Sequence, residues 1–301
     1  MKKFIKVWLT VCLVLFLISG GCLVGSIALG TTMEDVSLAL ENGYDTISDH
    51  IGLKKGLKFK NDDWKKLWEQ GTELKENKTE LKKAKNLKID LYGHMMIVKD
   101  TECKTPTIQI EEYAKNRVRI IEEDTLTIVT KPMRNSNGEI ILKLPENYQF
   151  KDVEIALDSG NIQIDTLIMN KIHITADAGN IDVNEALKCY TANLEVDAGS
   201  IHAEEIQCID QLKAKVDVGK MELKKIDSKD IDLSCDVGKI SAGLAGGIDS
   251  YNIDLNCDVG NIKLGSENYT NTNKNITHKS EATEVRKMYV SCNVGSVEVD
   301  D

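Results

Sequence analysis

Apolar and polar residues alternate along most of the chain after residue 150, and glycine interrupts the alternation at regular intervals. Ile172, Ile174 and Ala176 occupy every second position before Gly179, and Ile181 resumes the alternation after it. Period-two alternation is typical of strands with one buried and one solvated face. A glycine between two such strands permits a corner with positive φ. The pattern therefore predicts pairs of short strands joined at sharp corners.

The corner is a single motif, Asp-x-Gly followed by a polar and then an apolar residue, which recurs about every 20 residues. A unit of this length cannot bury its own apolar face, whereas stacked units form a continuous core. We predict an all-β domain, a single-stranded parallel β-solenoid (β-helix) with about 20 residues per coil, in which each coil pairs with the next along the chain. The alternative is a β-sandwich, which needs no identical corners at constant spacing. The corner aspartates are Asp158, Asp177, Asp197, Asp217, Asp236 and Asp258, with Asn293 in the last copy, and the corner glycines are Gly160, Gly179, Gly199, Gly219, Gly238, Gly260 and Gly295.

Residues 86–301 form this predicted solenoid domain, although its ends are less regular. A coil-like unit surrounds Gly93, and the segments 117–131 and 140–145 resemble further units. We expect these units to cap the N-terminal end, because an open sheet edge invites aggregation. The polar insertion at 265–275 is predicted to be an exposed loop and is a candidate for recognition.

The first 30 residues carry an uncharged apolar segment at 7–29, preceded by Lys2, Lys3 and Lys6. The segment is long enough to span a bilayer as a helix. The lysines favour a cytoplasmic N-terminus, which would place the rest of the chain outside the cell. We therefore predict a single-pass transmembrane anchor, or uncleaved signal, at residues 1–30. A cleaved signal peptide is the alternative.

Residues 31–85, between the anchor and the solenoid, are predicted to form a helical juxtamembrane stalk. Asn61 is a suitable N-cap, and acidic residues follow it in the first turn. Trp64 and Trp68 lie one helical turn apart and are candidates for binding a partner. Alternatively, the two tryptophans rest on the membrane interface or cap the solenoid.

Composition argues against several classes of function. The net charge is −10, and no run of residues supplies the basic stripe of a nucleic-acid-binding protein. The sequence lacks a nucleophile elbow, a P-loop and a paired-carboxylate motif. No tryptophan follows Trp68, whereas sugar-cleaving β-helices combine gathered acids with aromatic residues. We therefore expect no enzymatic activity, no cofactor and no nucleic-acid partner.

The aspartate column is the most distinctive candidate site. Carboxylates stacked about 5 Å apart repel one another. Asx-turns, in which each carboxylate accepts a backbone N–H at the corner, would offset the repulsion. Ca²⁺ bound between coils is the alternative, because this cation prefers several oxygen ligands. The Gly-rich repeat that binds Ca²⁺ in other solenoids is absent, so we predict no metal site.

Two groups of cysteines fall at repeated positions. Cys235, Cys257 and Cys292 share the inward position just before the corner, and Cys189 and Cys208 share a looser third side of the coil. Small buried hydrophobic residues would explain both groups without further chemistry. Whether either group is oxidised stays open, because disulfide formation requires a specific geometry.

The order of these features resembles a known family. Divergent strands follow an apolar N-terminal segment, Leu144-Pro145-Glu146 leads into the first repeat, and Asp-x-Gly-x-Ile coils follow. This arrangement is similar to the bacterial "putative-adhesin" family of β-strand repeat proteins, domain of unknown function 4097, over about residues 86–301. The family commonly has Gly-Ser-Gly-Asp at the corner, where this chain has Asp-x-Gly before Asn, Ser or Lys. The resemblance implies a β-solenoid and a location in the cell envelope.

We therefore expect a non-enzymatic cell-surface scaffold for adhesion or envelope interactions, held in the cell membrane through residues 7–29. Its expected partner is cell-wall polymer, a surface glycan or a membrane protein. The alternative is a membrane-tethered sensor or regulatory subunit of an envelope-stress system that acts through a membrane partner.

Overall fold

The computed structural model describes residues 61–111, 116–131, 139–270, 274–280, 282 and 285–301. The predicted anchor at 1–30 and the predicted stalk up to residue 60 lie outside the described residues. Within the described ranges, no helix is long and apolar enough to cross a bilayer.

The described chain is all-β apart from a helix near its start and a short 3₁₀ turn at Ile248–Ser250, which confirms the predicted class. All the strands belong to one hydrogen-bonded sheet. The elements are α1 Asn61–Gln70, β1 Thr72–Glu73, β2 Lys78–Glu80, β3 Asn86–Asp100, β4 Thr107–Ile110, β5 Val118–Glu122, β6 Thr125–Thr130, β7 Glu139–Pro145, β8 Phe150–Ala203, β9 Ile206–Leu244, β10 Tyr251–Leu264, β11 Glu267–Thr270, β12 Lys274–His278 and β13 Arg286–Asp300.

Consecutive repeats pair in parallel and in register. Strand β8 pairs with β9 so that Gly199 lies opposite Gly219, with Leu194 opposite Ala214 before the corner. The early unit predicted around Gly93 pairs in the same way, with Gly93 opposite Gly160 in β8. Equivalent positions of successive repeats therefore form columns across the sheet.

The inward columns form the core. The positions predicted to face inward before the corner are fully buried, among them Ile155, Ile174, Leu194, Leu233 and Leu255. Burying a side chain of this size contributes about 1.5–3 kcal/mol relative to leaving it exposed. Because each repeat adds only a few such residues, the core exists only when neighbouring repeats are paired.

The glycine column is where neighbouring repeats leave no room for a side chain. Gly199 has a φ of 144°. A Cβ atom built on it would lie 1.9 Å from the carbonyl oxygen of Gly179 in the preceding repeat. The same overlap, at 1.7–1.9 Å, would arise at the other corner glycines from 160 to 295. Only glycine therefore fits this column, for a tertiary reason as well as a conformational one.

The order of the last repeats differs from the predicted chain order. Strand β13 lies between β9 and β10, with Gly295 opposite Gly238 on one side and Gly260 on the other. The prediction that each coil pairs with the next along the chain is therefore wrong at this end. One edge of β10 pairs with β11 and β12, which follow it in the chain. The final strand, β13, therefore pairs with the other edge of β10, next to β9.

Those following residues correct a second prediction, that of an exposed loop at 265–275. Strand β11 pairs antiparallel with the second half of β10, where Tyr269 lies opposite Ile262. Strand β12 pairs antiparallel with the first half, where Ile276 lies opposite Leu255. The insertion thus covers the backbone groups that an edge strand would otherwise expose. Residues 271–273 are not described.

The N-terminal end is covered by a related device. Strand β6 pairs in parallel with the first half of β3, and β7 pairs in parallel with its second half. Strands β5 and β4 then add antiparallel to β6 and β7. The segments 117–131 and 140–145 therefore do cap this end, as predicted: β6 and β7 pair in parallel with β3, and the antiparallel strands β5 and β4 lie outside them.

The predicted stalk is helical only in part of its described residues. Strand β1 pairs with β5, and β2 pairs with β4, so the sheet begins well before residue 86. Leu74 and Leu81 are buried in the core next to these short strands. Helical periodicity was the wrong interpretation here, because the sparse apolar residues fill the end of the core.

We expect Gly199→Ala to lower the free energy of unfolding by about 3 kcal/mol or more, because the new methyl group meets a backbone carbonyl that cannot move aside. Gly246→Ala is the control. Gly246 also has positive φ, but a Cβ atom there would meet only the Ser250 side chain at 3.3 Å. Its loss should be nearer 1 kcal/mol. Urea denaturation measures both, and equal losses would contradict the packing argument.

Candidate interaction surface

The corner aspartates form a column that crosses neighbouring strands at their corners, with one neutral residue among them. Because β13 lies between β9 and β10, Asn293 comes between Asp236 and Asp258 in space. The Asn293 amide donates to Asp236 Oδ1 at 3.0 Å. The only neutral copy of the motif therefore separates two carboxylates that would otherwise be neighbours.

Two other aspartates of the column are contacted by side chains. The sequence had predicted that backbone N–H groups would donate to these carboxylates. Lys215 Nζ lies 2.6 Å from Asp217 Oδ1. Asn256 Nδ2 donates to Asp258 Oδ1 at 3.3 Å. Burial, and then the neighbouring Asp217 carboxylate, raise the pKa of Asp197. Repulsion along the column is thus reduced by side-chain partners at individual carboxylates.

The alternative role for this column was Ca²⁺ binding. In the described part of the chain, no group of three or more His, Cys, Asp or Glu side chains is placed to hold a metal ion. The column spreads its carboxylates along an edge, one per repeat, instead of gathering several around one point as a Ca²⁺ site requires.

A row of apolar residues runs beside the aspartates at the same corners. The residues between Asp and Gly in the later repeats are valines with exposed fractions of 46–55%. The earlier repeats have Ser159, Ala178 and Ala198 at the equivalent position. In spatial order the row is Val218, Val237, Val294 and Val259.

A groove crosses several repeats at another part of the surface and has a volume of about 920 Å³. Its apolar lining includes Tyr190, which is 48% exposed, and Ile209, which is 73% exposed. Lys188 and Lys229 also line it. Sequence reasoning missed this groove. The available signal was a pair of large apolar residues at outward positions of consecutive repeats.

The groove is held at one end by Arg286, which joins three strands. Arg286 Nη1 donates to Asp227 Oδ1 at 2.6 Å and to the Tyr251 hydroxyl at 3.0 Å. Asp227 belongs to β9, Tyr251 to β10 and Arg286 to β13. The side of the groove made by β13 therefore depends on the same strand insertion that reorders the column.

Trp64 and Trp68, the predicted partner-binding residues, pack onto the N-terminal end of the sheet. Their rings stack at 5.6 Å with an interplanar angle of 15°. Arg119 and Lys131 lie over Trp68 at 4.7 and 4.3 Å from its ring centre. Trp64 Nε1 donates to the Thr130 carbonyl oxygen at 3.3 Å. The two tryptophans thus cover this end of the sheet, and their role in binding a partner stays a prediction.

A buried acid, Asp90, lies in β3 shortly before Gly93. Asp90 is 4% exposed, and its Oδ2 atom has no hydrogen-bond partner. Burial, followed by the nearby Asp158 carboxylate, raises the pKa of Asp90 to about 7. Burial likewise raises the pKa of Asp158, although a hydrogen bond from Tyr92 opposes the shift. The repeat pattern did not single out Asp90, because it lies before the regular motif begins.

The cysteine column before the corner also follows the spatial order of the strands. Cys292 lies between Cys235 and Cys257, in register with both. All three residues are buried, and their thiols are free. Cys257 and Cys292 direct their Sγ atoms to the carbonyl oxygens of Gly295 and Gly238, at 3.8 and 3.9 Å.

We expect Asp90→Asn to remove a pH dependence of stability. A raised native pKa means that the folded state holds a proton that the unfolded chain releases near pH 4, so the stability of the wild type should fall between about pH 4 and 7. At pH 8 the variant should be more stable than wild type by about 2–4 kcal/mol, and at pH 4 the two should be similar. Urea unfolding across this range measures the effect. Asp124→Asn, at an exposed position, should leave the profile unchanged, and an Asp90→Asn profile as steep as that of the wild type would contradict the assignment.

We expect Asn293→Asp to destabilise the protein at neutral pH, because it replaces the neutral residue between Asp236 and Asp258 and makes the column a continuous row of carboxylates. The expected loss is about 1 kcal/mol at low salt, smaller at high salt and near zero at pH 3. Adding Asp236→Asn should restore most of it. A loss that neither salt nor acid reduces would show that the Asn293 amide acts by hydrogen bonding alone.

The sequence profile of the Toastrack family, domain of unknown function 4097, matches residues 73–298. No curated protein matches the chain. A structure titled "putative adhesin" from Bacteroides fragilis is 15% identical, with 74% of this chain and 94% of that chain covered and a TM-score of 0.42.

Two structures from Parabacteroides are related at a similar level. A "putative adhesin" from Parabacteroides merdae is 14% identical, with 73% of this chain and 95% of that chain covered and a TM-score of 0.40. A "putative lipid binding protein" from Parabacteroides distasonis is 14% identical over the same shares, with a TM-score of 0.38. The Toastrack family profile covers most of this chain, including every corner glycine, and the protein therefore belongs to that family.

Proposed function

We propose that this protein is a non-enzymatic cell-surface scaffold, a parallel β-solenoid tethered to the cell membrane through residues 7–29, that binds an extended envelope polymer in the groove at Tyr190 and Ile209. The family and its relatives titled as adhesins support a binding role. The in-register parallel pairing of repeats supports the solenoid. The uncharged N-terminal segment supports the tether.

The observation that carries the proposal is the exposure of Tyr190 and Ile209 within the groove. Large apolar side chains at outward positions of a stable sheet gain nothing from the core, and such clusters mark interaction sites. The groove crosses neighbouring repeats, so it presents an elongated surface and not a closed pocket. An aromatic ring beside hydrogen-bonding side chains such as Gln207 and Asn170 suits a sugar-containing polymer.

The alternative of a regulatory subunit was based on Trp64 and Trp68 as the partner-binding residues. Both side chains contact the protein's own sheet, and Trp68 is buried. A partner would have to displace Arg119 and Lys131 from the Trp68 ring. We therefore favour the groove.

Co-sedimentation of the purified protein with isolated cell-wall sacculi tests the proposal. We expect the protein to pellet with sacculi and to be released by soluble wall fragments. The double variant Tyr190→Ala, Ile209→Ser should raise the Kd for sacculi at least about tenfold, which corresponds to a loss of about 1.4 kcal/mol. Tyr289→Ala is the matched control, because Tyr289 is comparably exposed but lies outside the groove.

Pelleting that the groove variant leaves unchanged would place binding elsewhere on the surface. Protein that stays in the supernatant would contradict wall binding and would support a membrane-protein partner instead. Crosslinking in membranes would then identify that partner.

A further inference from the structure

Cys189 and Cys208 form a close pair of thiols within the sheet. Their Sγ atoms are 2.9 Å apart. The two residues are direct partners on neighbouring parallel segments of β8 and β9. Both are nearly buried, at 6% and 3% exposure.

The backbone geometry at this pair suits a disulfide. Neighbouring strands lie about 4.7–4.9 Å apart, which falls within the Cα–Cα range of about 4.4–6.8 Å found for disulfides. The thiols would need to approach by somewhat less than 1 Å to reach the bond length of about 2.05 Å. No strand has to change register for this to happen.

The strand ladder is irregular immediately after the pair. Cys189 lies opposite Cys208, but the next paired residues are Thr191 and Gln211, so the register shifts by one residue between them. Ile209 follows Cys208 directly and is the most exposed large apolar residue in the described ranges. A covalent link here would join two repeats where their backbone pairing is interrupted, and the local irregularity leaves the backbone freedom to adjust.

The other cysteine column is arranged differently. Cys292 interacts with the thiols of both Cys235 and Cys257, and Cys257 and Cys292 each also direct the thiol to a glycine carbonyl oxygen of the neighbouring repeat. Cys189 and Cys208 instead form a single pair, with the two Sγ atoms 2.9 Å apart. Both residues of this pair also line the groove, which gives a small oxidant a route to them.

We propose that Cys189 and Cys208 are a redox-active pair that closes to a disulfide between neighbouring repeats. The two thiols lose two protons and two electrons and form one S–S bond. A small disulfide or a disulfide oxidoreductase accepts the electrons and protons, and its own disulfide becomes two thiols. The hydrogen bond with Cys189, together with burial, raises the pKa of Cys208, so closure should be faster at alkaline than at neutral pH.

Thiol mapping on the full-length chain tests the proposal directly. The protein is incubated with oxidised glutathione, its remaining thiols are alkylated under denaturing conditions, and it is digested with trypsin. No Lys or Arg lies between Cys189 and Lys213, so both cysteines fall on one peptide. We expect this peptide to take up no alkylating reagent before reduction and two equivalents after it, while the peptides with Cys257 and Cys292 are alkylated at once.

Thermal unfolding provides the second readout. Closing a loop of about 20 residues should raise the melting temperature by roughly 5–10 °C, and a reducing agent should reverse the rise. Cys208→Ala should abolish the rise, whereas Cys292→Ala, which removes a different buried thiol, should retain it. The mapping uses the wild-type chain and therefore does not depend on either variant folding. Two free thiols on the 189–213 peptide after oxidation at alkaline pH, or a disulfide that instead joins Cys292 to a neighbour, would overturn the proposal.

Discussion

Neighbouring repeats leave no room for a side chain at the corner, because the carbonyl oxygen of one glycine occupies the space that a Cβ atom would need on the next. At Gly199 that distance would be 1.9 Å, and Gly160 and Gly260 show the same overlap with their own neighbours. Any side chain in this column would push two repeats apart and break the flanking hydrogen bonds on both sides. The glycine column therefore sets the register of the parallel pairs β3–β8, β8–β9, β9–β13 and β13–β10. The inward apolar columns, and hence the core, follow from that register.

The parallel strands of this sheet have two outer edges, and the chain covers both of them with antiparallel strands. At one end, β5 and β4 cover two parallel strands, and Trp64 and Trp68 pack against the same end. At the other end, β11 and β12 cover β10. Antiparallel hairpins suit this task because they can be short, and because they reverse direction without the corner motif. Occupation of the outer edge of β10 leaves β13 the position between β9 and β10.

That insertion determines the chemistry of the surface. It places Asn293 between Asp236 and Asp258, and it places Cys292 between Cys235 and Cys257. It also brings Arg286 to Asp227 and Tyr251 at the end of the groove. The charge pattern along the corner and the wall of the groove are thus consequences of one topological choice. A stack in chain order would have left Asp236 and Asp258 adjacent and Asn293 at the end.

The sequence by itself determined the all-β class, the position of each corner and the inward residues of each strand, because period-two alternation and a glycine at fixed spacing are local signals. Asp158 and Gly160, for example, could be assigned to a corner without any knowledge of their neighbours. Only the tertiary structure decided which repeats are neighbours, because strand pairing depends on which edge is free when the chain returns. For the same reason the strands at 72–80 and 267–278 could not be foreseen, since their polar residues form strands only by completing another strand's hydrogen bonds. The groove around Tyr190 and the Cys189–Cys208 contact likewise appear only when residues about 20 positions apart are placed side by side.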